Sequence, residues 1–209
     1  MSKESIHAHI ETLREELQNM ALDIWAHPEA GFQEGHASTV QKEFLRRLGA
    51  KITSPIDMLD TAFVAEYGEG KPVIGFLGEF DALPGLSQKA GLNHREPLED
   101  GAYGHGCGHN LLGTGSVAAF AGLMLTMKEE GLPGTIRYYG CPAEEIYSGK
   151  SFMARAGVFD DLDCCLSWHP SGEDGVGYSN NTALTTMEFH FTGVEAHAAA
   201  NPHLGRSAL

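Results

Sequence analysis

Apolar residues at Ile6, Ile10, Leu13, Leu17, Met20 and Ile24 recur at steps of three and four, which predicts one long first helix that Pro28 ends. Val40, Phe44 and Leu48 repeat the spacing and predict a second helix, with Gly49 as its stop. The period then shortens. Residues 62–67 and 72–77 are rich in β-branched and aromatic types and predict two strands, joined through Gly68, Glu69 and Gly70. A third helix is expected from a cap at Asn110 to about Glu130, apolar over most of its surface and therefore buried. Beyond it a strand at 135–139, a helix at 148–156 and a strand at 163–168 follow in turn. Strands alternating with helices predict an α/β protein, a layered sheet with flanking helices.

From about Thr182 the style changes. Residues 185–191 alternate like a half-exposed strand, and residues 202–209 open a further helix. A first domain is therefore expected over residues 1–182, and the beginning of a second, α+β domain over 183–209. The pattern stops inside a helix without a capping residue, so the sequence reads as part of a longer protein.

Composition narrows the partners. The chain has 209 residues, 42% hydrophobic and 20% charged, in the range of soluble globular proteins. Its 28 acidic residues against 14 basic ones give a net charge of −14, which repels phosphate backbones and anionic lipids, so neither nucleic acid nor membrane is expected as a partner. The longest apolar run, 117–127, is short of the ~20 residues of a membrane span. No basic start leads into an apolar run near the amino terminus, so a cytoplasmic location is expected. The four cysteines, Cys107, Cys141, Cys164 and Cys165, form no Cys-x-x-Cys pair, and disulfides are not expected there. Cys164 and Cys165 lie in an apolar run and are expected as buried strand residues.

Four short segments could carry chemistry. In Gly104-His105-Gly106-Cys107-Gly108-His109-Asn110, alternate residues of an extended chain share a face, so His105, Cys107 and His109 can point together. Imidazole and thiolate suit zinc and other divalent transition ions. The bland alternative is a glycine-rich turn with a buried cysteine. Glu144-Glu145 follows the strand at 135–139, and adjacent carboxylates at a strand end face different ways. One can bind a metal while the other moves a proton, although a solvated acidic pair is the commoner outcome. Ser167-Trp168-His169-Pro170 and Gly78-Glu79-Phe80-Asp81 also follow predicted strands, where an ordinary turn would serve as well. Three of the four groups fall just past strand carboxyl ends, the edge at which open α/β sheets bind ligands. Gly113-Thr114-Gly115-Ser116-Val117-Ala118 loosely matches a dinucleotide fingerprint but lies inside a helical run, where small residues serve close packing. His7, His9, His27, His36, His94 and His190 have no clustered partners in sequence and read as structural or solvated.

The segments WAHPEAGFQE (25–34), GEFDALP (78–84), HGCGHN (105–110), PAEE (142–145) and AHAAANPHLGRS (196–207), in this order, resemble the M20D branch of the M20 metallopeptidases and amidohydrolases. The resemblance implies hydrolysis of an amide bond to an amino acid by an M20 catalytic domain with a lid or dimerisation domain. Its implied substrate is a small-molecule amide, p-aminobenzoyl-glutamate foremost, with a dipeptide, or a non-catalytic metal-binding partner subunit, as the alternatives. By the same resemblance Cys107, His109, Glu145 and His169 are metal ligands, Glu144 is the general base, Asp81 orients a ligand, and His197 is a lid histidine serving a partner's active site. Zinc or manganese is implied, two ions per complete site, in a homodimer or a heterodimer with a paralogous subunit. Other branches carry a ligand histidine where Glu79 stands, so Glu79 is left outside the expected ligand set with His109 in its place. The family's last metal histidine belongs to a segment beyond position 209.

Overall fold

The first apolar stripe folds as two helices, α1 (Lys3–Thr12) and α2 (Arg14–Ala26), rather than as one. At the break the Leu13 N–H donates to the Ile10 carbonyl three residues back, a tightened turn. Leu13, Leu17, Met20 and Ile24 still face one core, so the stripe survives the break. Helix α3 (Gly35–Leu48) ends as its sequence predicts, on Gly49 at φ 111°. This computed structural model describes residues 2–177, 182–185 and 187–208. They fall into two compact units, Met1–Gly172 and Glu173–Leu209, whereas the change of sequence style stands at about Thr182.

The first unit holds a five-stranded mixed sheet in the order β1-β2-β4-β3-β5. Strands β1 (Lys51–Thr53) and β2 (Phe63–Glu69) pair antiparallel, as do β2 and β4 (Gly134–Cys141). Strand β3 (Val73–Glu79) runs parallel to β4 on one side and to β5 (Cys164–Leu166) on the other. The glycine-joined strands β2 and β3 are therefore not a hairpin, because β4 lies between them. Ile136 and Tyr138 of β4 enter one core and Tyr139 and Cys141 the other, so this central strand is covered on both faces. The expectation that Cys164 and Cys165 are buried fails: among the described residues β5 pairs with β3 alone, and both cysteines are exposed.

Helix α4 (His109–Glu130) connects β3 to β4 and packs against α1, α2, α3 and the sheet. It is long and apolar enough to span a membrane by composition, beyond the run counted in sequence, yet it is mostly buried inside this unit. Its cap is not Asn110 but Gly108, at φ 80°. Asn110 sits inside the first turn and donates to the Ala21 carbonyl at 3.1 Å, tying α4 to α2. The fingerprint-like glycines lie in the first two turns of α4: a Cβ on Gly113 would stand 2.4 Å from the Glu79 carbonyl oxygen, so the helix start can press on the end of β3 only without a side chain there. After β4 come α5 (Glu144–Tyr147) and α6 (Gly149–Arg155), which lead to β5 on the far side of β3. The first crossover thus runs from β3 to β4 on one side, and the second runs back from β4 past β3 to β5 on the other, so strand order reverses about β3 at the edge where open α/β sheets bind ligands.

In the second unit, the predicted strand over 185–191 is not formed among the described residues; Thr186 lies outside them. The predicted helix at 202–209 is a single 3₁₀ turn, Pro202–Leu204. Gly205 is extended, and Arg206 pairs with Val194 in an isolated bridge.

Candidate metal centre

The carboxyl ends of the three parallel strands deliver the chemistry-bearing residues to one edge. Glu79 ends β3 and Asp81 follows it; Glu144 and Glu145 follow β4; His169 follows β5; His109 opens α4 above them. One ligand atom each from Cys107, His109 and His169 lies within 4.8 Å of the others, with Cys107 Sγ 3.1 Å from His169 Nε2. Around His109 Nε2 stand Glu79 Oε2 at 3.0 Å, Glu145 Oε1 at 3.8 Å and Glu144 Oε2 at 3.9 Å. The structure thus brings together the four expected ligands and Glu144, and it adds Glu79, which sequence reasoning left out. His105 does not join them: its Nε2 lies 3.1 Å from the Ile24 carbonyl oxygen, because the glycine-rich segment turns instead of running extended.

A buried frame fixes these groups. Asp81 receives the His109 Nδ1–H on one oxygen and the Glu145 backbone N–H on the other, both at 2.9 Å. With Nδ1 donating, Nε2 is the nitrogen turned toward the carboxylates. Glu144 leaves β4 through Ala143, held at φ 54°, where a side chain costs roughly 1 kcal/mol. Glu34 stabilises that turn by accepting the Ala143 N–H at 2.7 Å, and the Thr61 hydroxyl at 2.9 Å orients it. Lys150 pairs with the remaining oxygen of Glu79. Sequence reasoning missed Glu34 and Lys150; only the presence of Glu34 in the first quoted segment hinted at a role.

The electrostatics call for positive charge here. Burial alone would lower His109, but Asp81 and Glu79 outweigh it and hold the imidazole up at about 10. Burial would raise Glu79, yet His109 and Lys150 keep it down at about 2. Burial, and then Glu145, push the Cys107 thiol up to about 11. Four carboxylates converge on one imidazole, and a divalent cation would take over the role of its proton and lower the thiol.

Two buried atoms decide whether an ion fits. His109 Nε2 and Glu145 Oε1 are both shielded from solvent and 3.8 Å apart, and neither makes a well-aligned hydrogen bond, although Nε2 has Glu79 Oε2 at 3.0 Å. Buried polar atoms are seldom left so. Thiolate, imidazole and carboxylate donors converging beside them form a transition-metal donor set. In the second unit, His197 Nδ1 accepts the N–H groups of Ala199 and Ala200, at 3.2 and 3.0 Å, in an exposed turn.

Comparison with known proteins agrees with this chemistry. The sequence is 46% identical over 200 residues to a subunit of p-aminobenzoyl-glutamate hydrolase from Escherichia coli (strain K12), covering 96% of this chain and 42% of that protein. It is 32% identical to the human Xaa-Arg dipeptidase, covering 96% of this chain and 45% of the relative, so it spans less than half the length of either. Among solved structures, a dinuclear metal-binding peptidase of the M20 family from Bacillus subtilis superposes with a TM-score of 0.63 at 30% identity, covering 77% of this chain and 44% of that one. Residues 75–206, which contain the whole cluster, match the model of peptidase family M20/M25/M40. With strand-end carboxylates, a cysteine–histidine pair and two buried ligand atoms set at one crevice, the chain belongs to peptidase family M20/M25/M40.

Proposed function

We propose that this chain carries the catalytic half-site of a metal-dependent amidohydrolase that releases an amino acid from a small amide, p-aminobenzoyl-glutamate being the substrate its 46% identical relative favours. The observation that carries the reading is the convergence of buried ligand atoms, His109 Nε2 and Glu145 Oε1 3.8 Å apart with no well-aligned hydrogen bond, beside Cys107 and His169. Cys107, His109, Glu145 and His169 would hold a divalent ion, which supplies Lewis-acid polarisation of the amide carbonyl and acidifies a water toward pH ~7. The thiolate favours zinc over manganese at this position. Asp81 orients the His109 ring. Glu144 has 42% of its side chain exposed against 13% for Glu145, so it can meet an incoming water, accept its proton and pass it to the leaving nitrogen.

Glu144→Gln and Glu145→Gln separate the two roles. Metal content can be read on this chain, and turnover on a protein of the relatives' whole length. Glu144→Gln should abolish turnover with metal content nearly unchanged, whereas Glu145→Gln should lose metal. Identical behaviour of the two variants overturns the assignment. A substrate screen with p-aminobenzoyl-glutamate and Xaa-Arg dipeptides decides between the amidohydrolase and a dipeptidase, the reading favoured by the human relative.

Assembly belongs to the same proposal. A homodimer, or a heterodimer with a paralogous subunit, is supported by the bacterial relative, which is itself named as one subunit of its hydrolase. His197 would then serve a partner's site by steadying the developing oxyanion. Its replacement by alanine should cost about 10²–10³ in turnover with metal retained. Mixing a variant lacking His197 with one lacking Glu144 should restore part of the activity, and no restoration would place the histidine's role elsewhere.

A further inference from the structure

Two histidines that look isolated in sequence meet after folding. Asp23 lies in the last turn of α2, His27 is that helix's C-cap, and His36 is the second residue of α3. The Asp23–His27 spacing of four puts both on one helix face. Asp23 Oδ1 stands 3.1 Å from His27 Nδ1, which also lies 2.8 Å from the Asp23 carbonyl oxygen, and Asp23 Oδ2 stands 2.7 Å from His36 Nε2, with the two rings 4.5 Å apart between centroids. One ligand atom from each residue lies within 4.8 Å of the other two. Donors that bind zinc at about 2.0–2.2 Å stand roughly 3–3.5 Å from each other, so the three side chains would draw together to close on an ion. All three side chains are partly open to solvent, which leaves an entry path and a position for water.

We propose that Asp23, His27 and His36 form a second cation site, separate from the centre at the sheet edge, for a divalent transition ion of the zinc class. Two imidazoles with one carboxylate select such an ion over magnesium or calcium, which take oxygen donors. The ion would clamp the end of α2 to the start of α3. The loop between them is wired to the metal centre at two points. The Glu29 carboxylate accepts the His36 and Ala37 N–H groups at 2.9 and 3.0 Å, and the Glu29 carbonyl accepts the Ala82 N–H, next to Asp81, at 2.9 Å. Glu34, near the loop's other end, holds the Ala143 N–H, next to Glu144. A clamp across the loop's base therefore fixes the frame behind both Asp81 and Glu144. Without an ion, the three side chains form two solvent-screened His–Asp pairs of small worth.

Cobalt(II) distinguishes the two sites on this chain because the sheet-edge centre contains a thiolate and the clamp does not. The double variant Cys107→Ser/His169→Gln should still take up cobalt or zinc, with weak visible bands, no thiolate charge-transfer band, and ion-dependent shifts of the His27 and His36 ring-proton resonances. Added to the double variant, His36→Gln or His27→Gln should abolish that uptake; made in the parent chain, each should leave the thiolate band from Cys107 in place, which also reports that the fold is intact. Saturating ion should raise the melting temperature of the double variant by roughly 5–10 °C at about a hundred times the dissociation constant. Uptake in the double variant that is unchanged by His36→Gln and His27→Gln, or no uptake at all, overturns the clamp without touching the sheet-edge centre. Loss of the thiolate band alone would instead count against the function proposed above.

Discussion

Asp81 shows how much one side chain can decide. Its two oxygens take the His109 Nδ1–H and the Glu145 N–H, so one carboxylate sets a ring's tautomer and the place of its neighbour. An asparagine has one acceptor where two are needed. Its amide would either face the Glu145 N–H, leaving a buried donor unpaired at about 1–3 kcal/mol, or donate to His109 Nδ1 and drive the proton onto Nε2. Asp81→Asn should therefore lower the affinity of the sheet-edge centre about 10–100-fold, measured by competition with a chromogenic chelator, in a folded chain. Unchanged affinity would remove Asp81 from this role. The segments holding Cys107, His109, Glu145 and His169 stood out in the sequence by their donors and, for Glu145 and His169, by their places past predicted strand ends, while the division of roles among them came from the family resemblance. Glu34 and Lys150 did not, because what they touch lies 109 and 71 residues away. The same distance problem hid the Asp23–His27–His36 cluster: two of its members share a helix end, and the third arrives on the next helix.

At the scale of elements, periodicity revealed what forms but not what pairs. The strands and helices of the first unit lie close to where their apolar patterns put them, and the placement of candidate ligands past strand ends followed from that. The insertion of β4 between β2 and β3 left no local signal, since the glycines joining them fit a hairpin equally well. Burial of β5 was misjudged for a related reason: an apolar run specifies a strand but not whether it has a neighbour on both sides. Helix α4 offers a test of why it carries so many glycines. At Gly113 the obstacle is backbone, the Glu79 carbonyl oxygen 2.4 Å from a built Cβ, whereas at Gly122 it is the side chain of Ile10 at 2.5 Å. Ile10 is β-branched and meets the new carbon at Cγ1, so α1 must shift to make room at Gly122, whereas the end of β3 is held in the sheet. Gly113→Ala should destabilise the chain by roughly 1–3 kcal/mol and loosen the metal centre, since Glu79 and His109 flank the contact. Gly122→Ala should cost less than Gly113→Ala, because alanine gains about 1 kcal/mol of helix propensity to set against the shift of α1 that Ile10 and Ile6 require. Urea midpoints of the two variants decide, and equal losses would show that the Gly113 contact can relax.

For the whole molecule, protons and ions compete for the same charge balance. Near neutral pH a net charge of −14 is carried by a chain whose buried centre gathers carboxylates around one imidazole. In the ion-free protein, His109 is raised to about 10 from 6.5, so its contribution to stability is complete below 6.5 and is lost as pH rises toward 10. His105 behaves in the opposite sense. Burial holds it at about 4, below 6.5, so its contribution is present above 6.5 and is lost as pH falls toward 4, where the unfolded chain takes up a proton that the folded chain refuses. Glu34 and Glu145, raised chiefly by burial, pull the other way on the acid side, so difference curves are needed to isolate each histidine. Relative to the parent, chelated His105→Gln should lose less stability between pH 6.5 and 4, and chelated His109→Gln should lose less between 6.5 and 9. Saturating zinc should flatten the parent's alkaline loss, because ligation needs His109 neutral and the ion replaces its proton. Urea unfolding across this pH range, with chelator and with zinc, measures all three. An alkaline limb that zinc leaves unchanged would mean that no ion shares the place of the His109 proton, and the sheet-edge centre would have to be reassigned.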